Sequence, residues 1–105
     1  MASERLRAVA NYIRLLLNTS VNQARSLLST ATADQAKALC EVAFNLLKSK
    51  VPLKIRKIVK KYKKLLEKLT RKGISIASKI KLLKTHCRQV LAVLGSVKES
   101  LMKLI

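Results

Sequence analysis

The residues of this 105-residue chain that could do chemistry are mostly cations, and they cluster in one stretch. Residues 54–73 hold ten Lys or Arg side chains and a single acid, Glu67. Such a run indicates a polyanionic partner, either nucleic acid or an anionic membrane. Four more cations follow between residues 74 and 88. The candidate site residues are Lys54, Arg56, Lys57, Lys60, Lys61, Lys63, Lys64, Lys68, Arg71 and Lys72, extended by Lys79, Lys81, Lys84 and Arg88 if the next helix folds alongside.

The type of these residues indicates how they would bind. Lysine outnumbers arginine among them, and lysine lacks the planar fork with which arginine reads guanine. Few Asn or Gln lie nearby, and no aromatic platform for stacking single strands is evident. The sequence therefore predicts backbone-directed binding that is largely independent of base sequence and falls steeply with salt.

A helical wheel separates the stretch into two faces. Seven apolar residues fall within an arc of about 120°, and the ten cations fill the opposite arc of about 180°. Lysines four residues apart repel one another by a few tenths of a kcal/mol per pair, so a polyanion that neutralises them explains the pattern better than water alone. The apolar residues are Ile55, Ile58, Val59, Tyr62, Leu65, Leu66 and Leu69.

Catalytic and metal-binding constellations are not apparent. His86 is the only histidine, and its neighbour Cys87 points about 100° away on a helix, which does not make a nucleophile–base pair. One histidine and two distant cysteines do not predict a metal site, and the acids are scattered. We expect no enzyme, no cofactor and no metal. Cys40 and Cys87 are expected to be reduced, buried thiols of an intracellular protein.

Charge divides the chain into parts of one helical domain. Residues 48–88 carry sixteen Lys or Arg side chains against Glu67, a net charge of +15 out of +18 for the whole chain. Residues 1–48 have a nearly neutral balance of charge. Residues 52–88 are strongly basic, and residues 89–105 form an apolar C-terminal part. Abundant Leu, Ala and Lys with few Gly or Pro predict an all-α fold.

Capping signals divide this fold into five or six short helices, one of them long and lysine-rich. We expect helices over about 4–17 after an N-cap at Ser3, over the twenties after a Ser20–Gln23 capping box, and over 33–48 after a Thr32–Gln35 box. The third helix is expected to bury Ala36, Leu39, Cys40, Ala43, Phe44, Leu46 and Leu47.

The second half of the chain is predicted to hold two longer helices. One helix runs from about 53 to 72 after Pro52, with Gly73 as its C-terminal cap. Another runs from Ser75 or Ser78 to about residue 94. A bend at 95–96 then precedes a last turn capped by Ser96 and Glu99. The core is assigned to the first three helices and the C-terminal helix, with the lysine-rich helix across one side.

Two stretches resemble small basic proteins encoded by Polinton/Maverick-type elements and adintovirus-like viruses. The similarity covers roughly residues 20–85, from "LLSTATADQAKALCEVAFNLLKSKVPL" into the lysine-rich segment, and the C-terminal "THCRQVLAVLGSVKESLMKLI" departs from it. The resemblance implies a virion-associated or element-encoded protein, such as a DNA-core or capsid-internal component. The matching residues are Leu27, Leu28, Thr30, Ala31, Gln35, Ala38, Leu39, Cys40, Glu41, Ala43, Asn45, Leu47, Pro52 and Leu53.

The function predicted from these features is non-enzymatic nucleic-acid binding, with DNA packaging or condensation as its purpose, in the nucleus or in a virion. An alternative is an assembly protein whose first three helices pair with copies of themselves, as a homo-oligomer, or with a capsid protein. A third is an amphipathic protein on an anionic membrane. The apolar face disfavours the membrane, because it lacks Trp and Phe.

Overall fold

The computed structural model describes residues 8–48 and 51–98, and these two ranges contain seven helices. No strand occurs in these two ranges, and the predicted all-α class is confirmed. The expected N-cap at Ser3 and the expected role of Glu99 lie outside the described residues. The helices are α1 (Ala10–Leu17), α2 (Val21–Ser29), α3 (Ala33–Lys48), α4 (Leu53–Lys61), α5 (Lys63–Thr70), α6 (Ile76–Thr85) and α7 (Cys87–Ser96).

Hydroxyl side chains begin three of these helices, as the sequence predicts. The Ser20 Oγ accepts from the backbone N–H of Gln23 (3.3 Å), and the Ser75 Oγ accepts from that of Ser78 (3.2 Å). At α3 the capping box is complete, because the Gln35 N–H donates to the Thr32 Oγ1 (3.1 Å) while the Thr32 N–H donates to the Gln35 Oε1 (2.9 Å). These bonds satisfy backbone donors that a helix start leaves without intrahelical partners.

The long lysine-rich helix predicted over 53–72 is two helices that meet at Tyr62. Tyr62 has φ −109° and ψ 21°, outside the α-helical range, yet its N–H still donates to the Ile58 carbonyl and its carbonyl accepts from the Leu66 N–H, both at 3.1 Å. The predicted fifth helix bends in the same way at His86, where φ is −106° and ψ is 34°. Each bend lets the two segments pack on different neighbours.

Tertiary packing places α6 and α7 at the centre of the bundle. α6 packs on α2, α3 and α5, and α7 packs on α1, α2 and α4. Leu83 and Cys87, on either side of the bend, are fully buried. α5 packs extensively on α3 and contributes Leu65, Leu66 and Leu69 to the same core, whereas α4 has no buried residue. The core is therefore shared more widely than the sequence predicted.

Three local predictions are wrong. Phe44 is not in the core, because 48% of its surface is exposed. Gly73 does not cap α5, which ends at Thr70, and no described glycine has the positive φ that such a cap uses. Gly95 and Ser96 do not bend the chain, because α7 continues through both residues.

Tyr12 joins α1 to the centre of the bundle. Its hydroxyl donates to the Leu27 carbonyl of α2 at 3.0 Å. Burial, and then the charge of Cys87, raises the pKa of Tyr12 to about 12 from 10.0. Cys87 itself donates from Sγ to the Val21 carbonyl at 3.7 Å, and burial raises its pKa against the opposing effect of Arg25. These bonds fix α1, α2 and α7 relative to one another.

Candidate nucleic-acid interface

All ten cations between residues 54 and 72 are exposed to solvent. The seven apolar residues of the opposite face are buried or half-buried, and all of them contribute to the single hydrophobic core. The two faces predicted by the helical wheel are therefore present in the structure. We call the exposed set the basic surface: Lys54, Arg56, Lys57, Lys60, Lys61, Lys63, Lys64, Lys68, Arg71 and Lys72.

The bend at Tyr62 does not break this surface. Because the hydrogen-bond ladder continues through Tyr62, the helical register of the cations is preserved from α4 into α5. The Tyr62 ring is half-buried on the apolar side, and the Lys61 ammonium lies 5.4 Å from its centroid. The Tyr62 ring therefore lies on the core side of the helix, while Lys61 and Lys63 remain exposed to solvent.

The basic surface extends onto α6 through one groove. An open groove of about 450 Å³ lies between the end of α5 and α6, and it brings Lys81 together with Lys68 and Arg71. Arg71 follows the last residue of α5 in extended conformation, with φ −68° and ψ 129°. Three cations from separate turns thus line one concave site, which is a suitable shape for an anionic group.

The remaining three predicted cations lie on two different sides of α6 and α7, with Lys84 and Arg88 on one side and Lys79 on the other. Lys84 and Arg88 are exposed and follow Lys81 at spacings of three and seven residues, which places them on the same helical stripe. Lys79 is different, because it lies about 160° from Lys81 around the helix and is half-buried. Lys79 and Cys40 line a separate groove. Burial raises the pKa of the Cys40 thiol there, and the charge of Lys79 opposes this effect.

The sequence reasoning missed Phe44, which lies exposed beside the basic surface. The Lys48 ammonium is 5.9 Å from the centroid of its ring, and the groove next to it is also lined by Lys63 and Arg71. A wheel of the whole of α3 would have found it. The buried residues of α3, which include Ala38 and Val42, centre on Leu39, and Phe44 lies about 140° from that centre.

Cysteine, histidine and carboxylate groups build no second site in the described ranges. Cys40 and Cys87 are both free and buried, as predicted, and His86 is half-buried at the bend between α6 and α7. No three metal-ligating side chains of residues 8–48 and 51–98 lie close enough together to hold a metal ion. Among the helices described, none has the length and apolar character needed to cross a bilayer.

Comparisons with protein-family models, with curated protein sequences and with solved structures find no match to this chain. The resemblance to small basic proteins of Polinton/Maverick-type elements therefore stays a prediction from the residues that carry it.

Proposed function

We propose that this protein binds the phosphate backbone of nucleic acid through its basic surface, without catalysis and largely without regard to base sequence. The observation that carries the proposal is the exposure of all ten cations, eight of them on the side of α4 and α5 that faces away from the core and two, Arg71 and Lys72, directly after α5. These residues repel one another, and neutralisation by phosphates would relieve that repulsion.

The dimensions of the surface suit a backbone ligand. Residues 53–70 amount to about 27 Å of helix at 1.5 Å per residue, and duplex DNA presents about one charge per 1.7 Å of its axis. Several phosphates can therefore contact one such face at once. Lys81, Lys84 and Arg88 widen the surface on the side of α6 and α7.

Packaging or condensation of DNA is the purpose that we propose for this binding. A backbone-directed binder neutralises phosphates wherever it lands, which is what condensing a genome requires. The resemblance to element-encoded and virus-encoded proteins supports the same purpose, in a nucleus or a virion, because their lysine-rich helix corresponds to residues 54–73.

The test is a titration of random-sequence duplex DNA at several salt concentrations. We expect log affinity to fall linearly with log salt, with a slope of about −0.9 for each phosphate contacted. A variant with Lys57, Lys60, Lys61 and Lys64 changed to Gln should bind more weakly at every salt concentration. Its slope should be shallower by about 0.9 for each lost contact.

Matched charge changes separate this surface from net charge alone. Lys60→Gln with Lys64→Gln removes two charges from the basic surface, and Arg14→Gln with Lys98→Gln removes two exposed charges outside it. The first pair should weaken binding more than the second. Equal losses, or no binding at low salt, would contradict the proposal. Tighter binding to anionic vesicles than to DNA at the same salt concentration would favour the membrane alternative instead.

A further inference from the structure

Phe44 is the only phenylalanine of the chain, and the fold leaves it in solvent. Its surface is 48% exposed, because the buried residues of α3 occupy the opposite arc of the helix. The core is aliphatic apart from Cys40, Cys87 and the half-buried Tyr12 and Tyr62. Leu15 and Leu53 are also exposed, but among the described residues Phe44 is the exposed aromatic ring, and it lies on the face of α3 next to α5.

The ring lies between two grooves with cationic walls. Lys48, Lys63 and Arg71 line one groove together with Phe44 and Leu47, and Lys37 and Lys79 line the other. Lys63 and Arg71 belong to the basic surface, so the ring is continuous with it. One acid lines each groove, Glu67 in the first and Glu41 in the second. Cations outnumber acids in both.

We propose that Phe44 is a stacking platform for an unpaired base of single-stranded nucleic acid, whose backbone follows the cationic grooves on either side. This proposal rests on the proposed function, since it needs the same phosphate contacts. Single-strand sites combine a positively charged groove with aromatic side chains on which bases stack. The bases of a duplex are already stacked on each other, so the ring would be used by single strands and not by duplexes.

Charge selects this occupant over a protein partner. The apolar lining of the two grooves comes from Phe44, the half-buried Leu47 and Ile76, and the buried Cys40 and Leu69, so the exposed apolar area is too small for the hydrophobic centre of a stable protein interface. The cationic border instead complements a phosphate backbone. A base with one phosphate on each side matches a single ring between two basic grooves.

The absence of tryptophan from the chain allows a direct test. In the Phe44→Trp variant, the indole is the only tryptophan, and stacking on a base quenches its fluorescence. We expect quenching by oligo-dT and none by heparin, which carries negative charge without bases. Because Phe44 is exposed, this substitution and the following ones should leave the circular dichroism spectrum and the melting temperature unchanged.

Affinity measurements provide the second arm. Phe44→Ala should weaken binding to oligo-dT by about 5- to 150-fold, the range found when stacking residues are truncated. Phe44→Leu, which keeps the apolar volume and loses the ring, should weaken it similarly, while Phe44→Tyr should restore it. Binding of duplex DNA should change by less than about twofold in all three variants, because their phosphate contacts are unaltered.

The outcomes separate this inference from the proposed function. Salt-sensitive duplex binding without quenching, and with equal oligo-dT affinity for the Ala and Tyr variants, would overturn the stacking site and leave the basic surface intact. No binding of either ligand would overturn both proposals. A blue shift of the indole emission of the Phe44→Trp variant on anionic vesicles, with no quenching by oligo-dT, would overturn the stacking site in favour of a lipid surface.

Discussion

Two pairs of consecutive helices each meet at one residue with non-helical backbone angles, but the two pairs occupy different positions in the bundle. α4 and α5 meet at Tyr62, and α6 and α7 meet at His86, with similar backbone angles and with hydrogen bonds that continue through the bend. The second pair lies at the centre of the bundle and contacts the other five helices. The first pair lies at its side, where α4 buries no residue.

The width of the apolar arc accounts for the difference. Apart from the exposed Leu53, the apolar residues of α4 and α5 span about 120° of the helical wheel, whereas the Val, Ile, Leu and Cys residues from Ile76 to Val97 span about 180°. A narrow arc can pack on neighbours along one side only, and the remaining surface must stay in solvent. A wide arc can be covered only by helices on several sides. The bend serves both pairs, because each segment can then follow a different neighbour.

The largest predicted effect is on stability. Leu83→Ala removes a fully buried side chain beside the central bend, and we expect it to lower the free energy of unfolding by about 2–5 kcal/mol. Ile58→Ala in α4 removes a half-buried side chain and should cost less than half as much. Urea denaturation followed by circular dichroism measures both values. Equal costs would contradict the distinction between the central pair, α6 and α7, and the peripheral pair, α4 and α5.

The next effect is a pH dependence at Tyr12 of α1, whose hydroxyl interacts with Cys87 of the central pair. Burial, and then the charge of Cys87, raises the pKa of Tyr12 to about 12 in the folded protein, so the folded state holds the hydroxyl proton more tightly than the unfolded state does. The stability from this group is therefore complete below pH 10 and is lost as the pH rises from 10 to about 12. Melting temperatures on either side of pH 10 measure this loss.

Tyr12→Phe is the control for this effect. It removes the hydrogen bond to the Leu27 carbonyl, which should cost about 1 kcal/mol at neutral pH. It should also make stability decline less steeply above pH 10. The rest of the sequence is the same in both proteins, so the difference between them isolates Tyr12. Identical slopes would show that the hydroxyl does not contribute.

The smallest effect concerns repulsion within the peripheral pair. Lys60→Glu places an acid four residues from both Arg56 and Lys64, and each new pair should stabilise the protein by about 0.3 kcal/mol at low salt. Lys84→Glu, in the central pair, gains one such neighbour, Arg88, across the bend at His86. It should therefore stabilise the protein less. Thermal melting at low and high salt compares the variants, and a gain that persists at high salt would argue against an electrostatic origin.

Local signals in the sequence predicted much of this fold. The caps at Ser20, Thr32 and Ser75 form because they depend on residues three positions apart, and the exposed cations follow from the helical period alone. The bends were not predictable in this way, because neither Gly nor Pro occurs at residue 62 or 86. They follow from contacts between helices that are distant in the sequence.

The candidate site shows the same division between features that the local sequence predicts and features that depend on tertiary packing. The eight cations of α4 and α5 lie where their helical spacing places them, whereas Arg71 and Lys72 follow the end of α5. Arg71 and Lys81 come together only because α6 folds back along α5. The apolar character of Phe44 predicts a core position, but its place around α3 lies outside the buried arc. The register of the whole helix, and not residue type alone, therefore predicts its exposure.

The two free cysteines give the fold an intrinsic chemical reporter. Cys87 is fully buried between α7 and the start of α2, and Cys40 retains 9% exposure at the edge of a groove. An alkylating reagent can reach Cys87 only when α7 separates from α2, whereas Cys40 requires a smaller local movement. The ratio of the two labelling rates therefore measures how often the centre of the bundle opens relative to its edge, in the unmodified protein and at any concentration of bound polyanion.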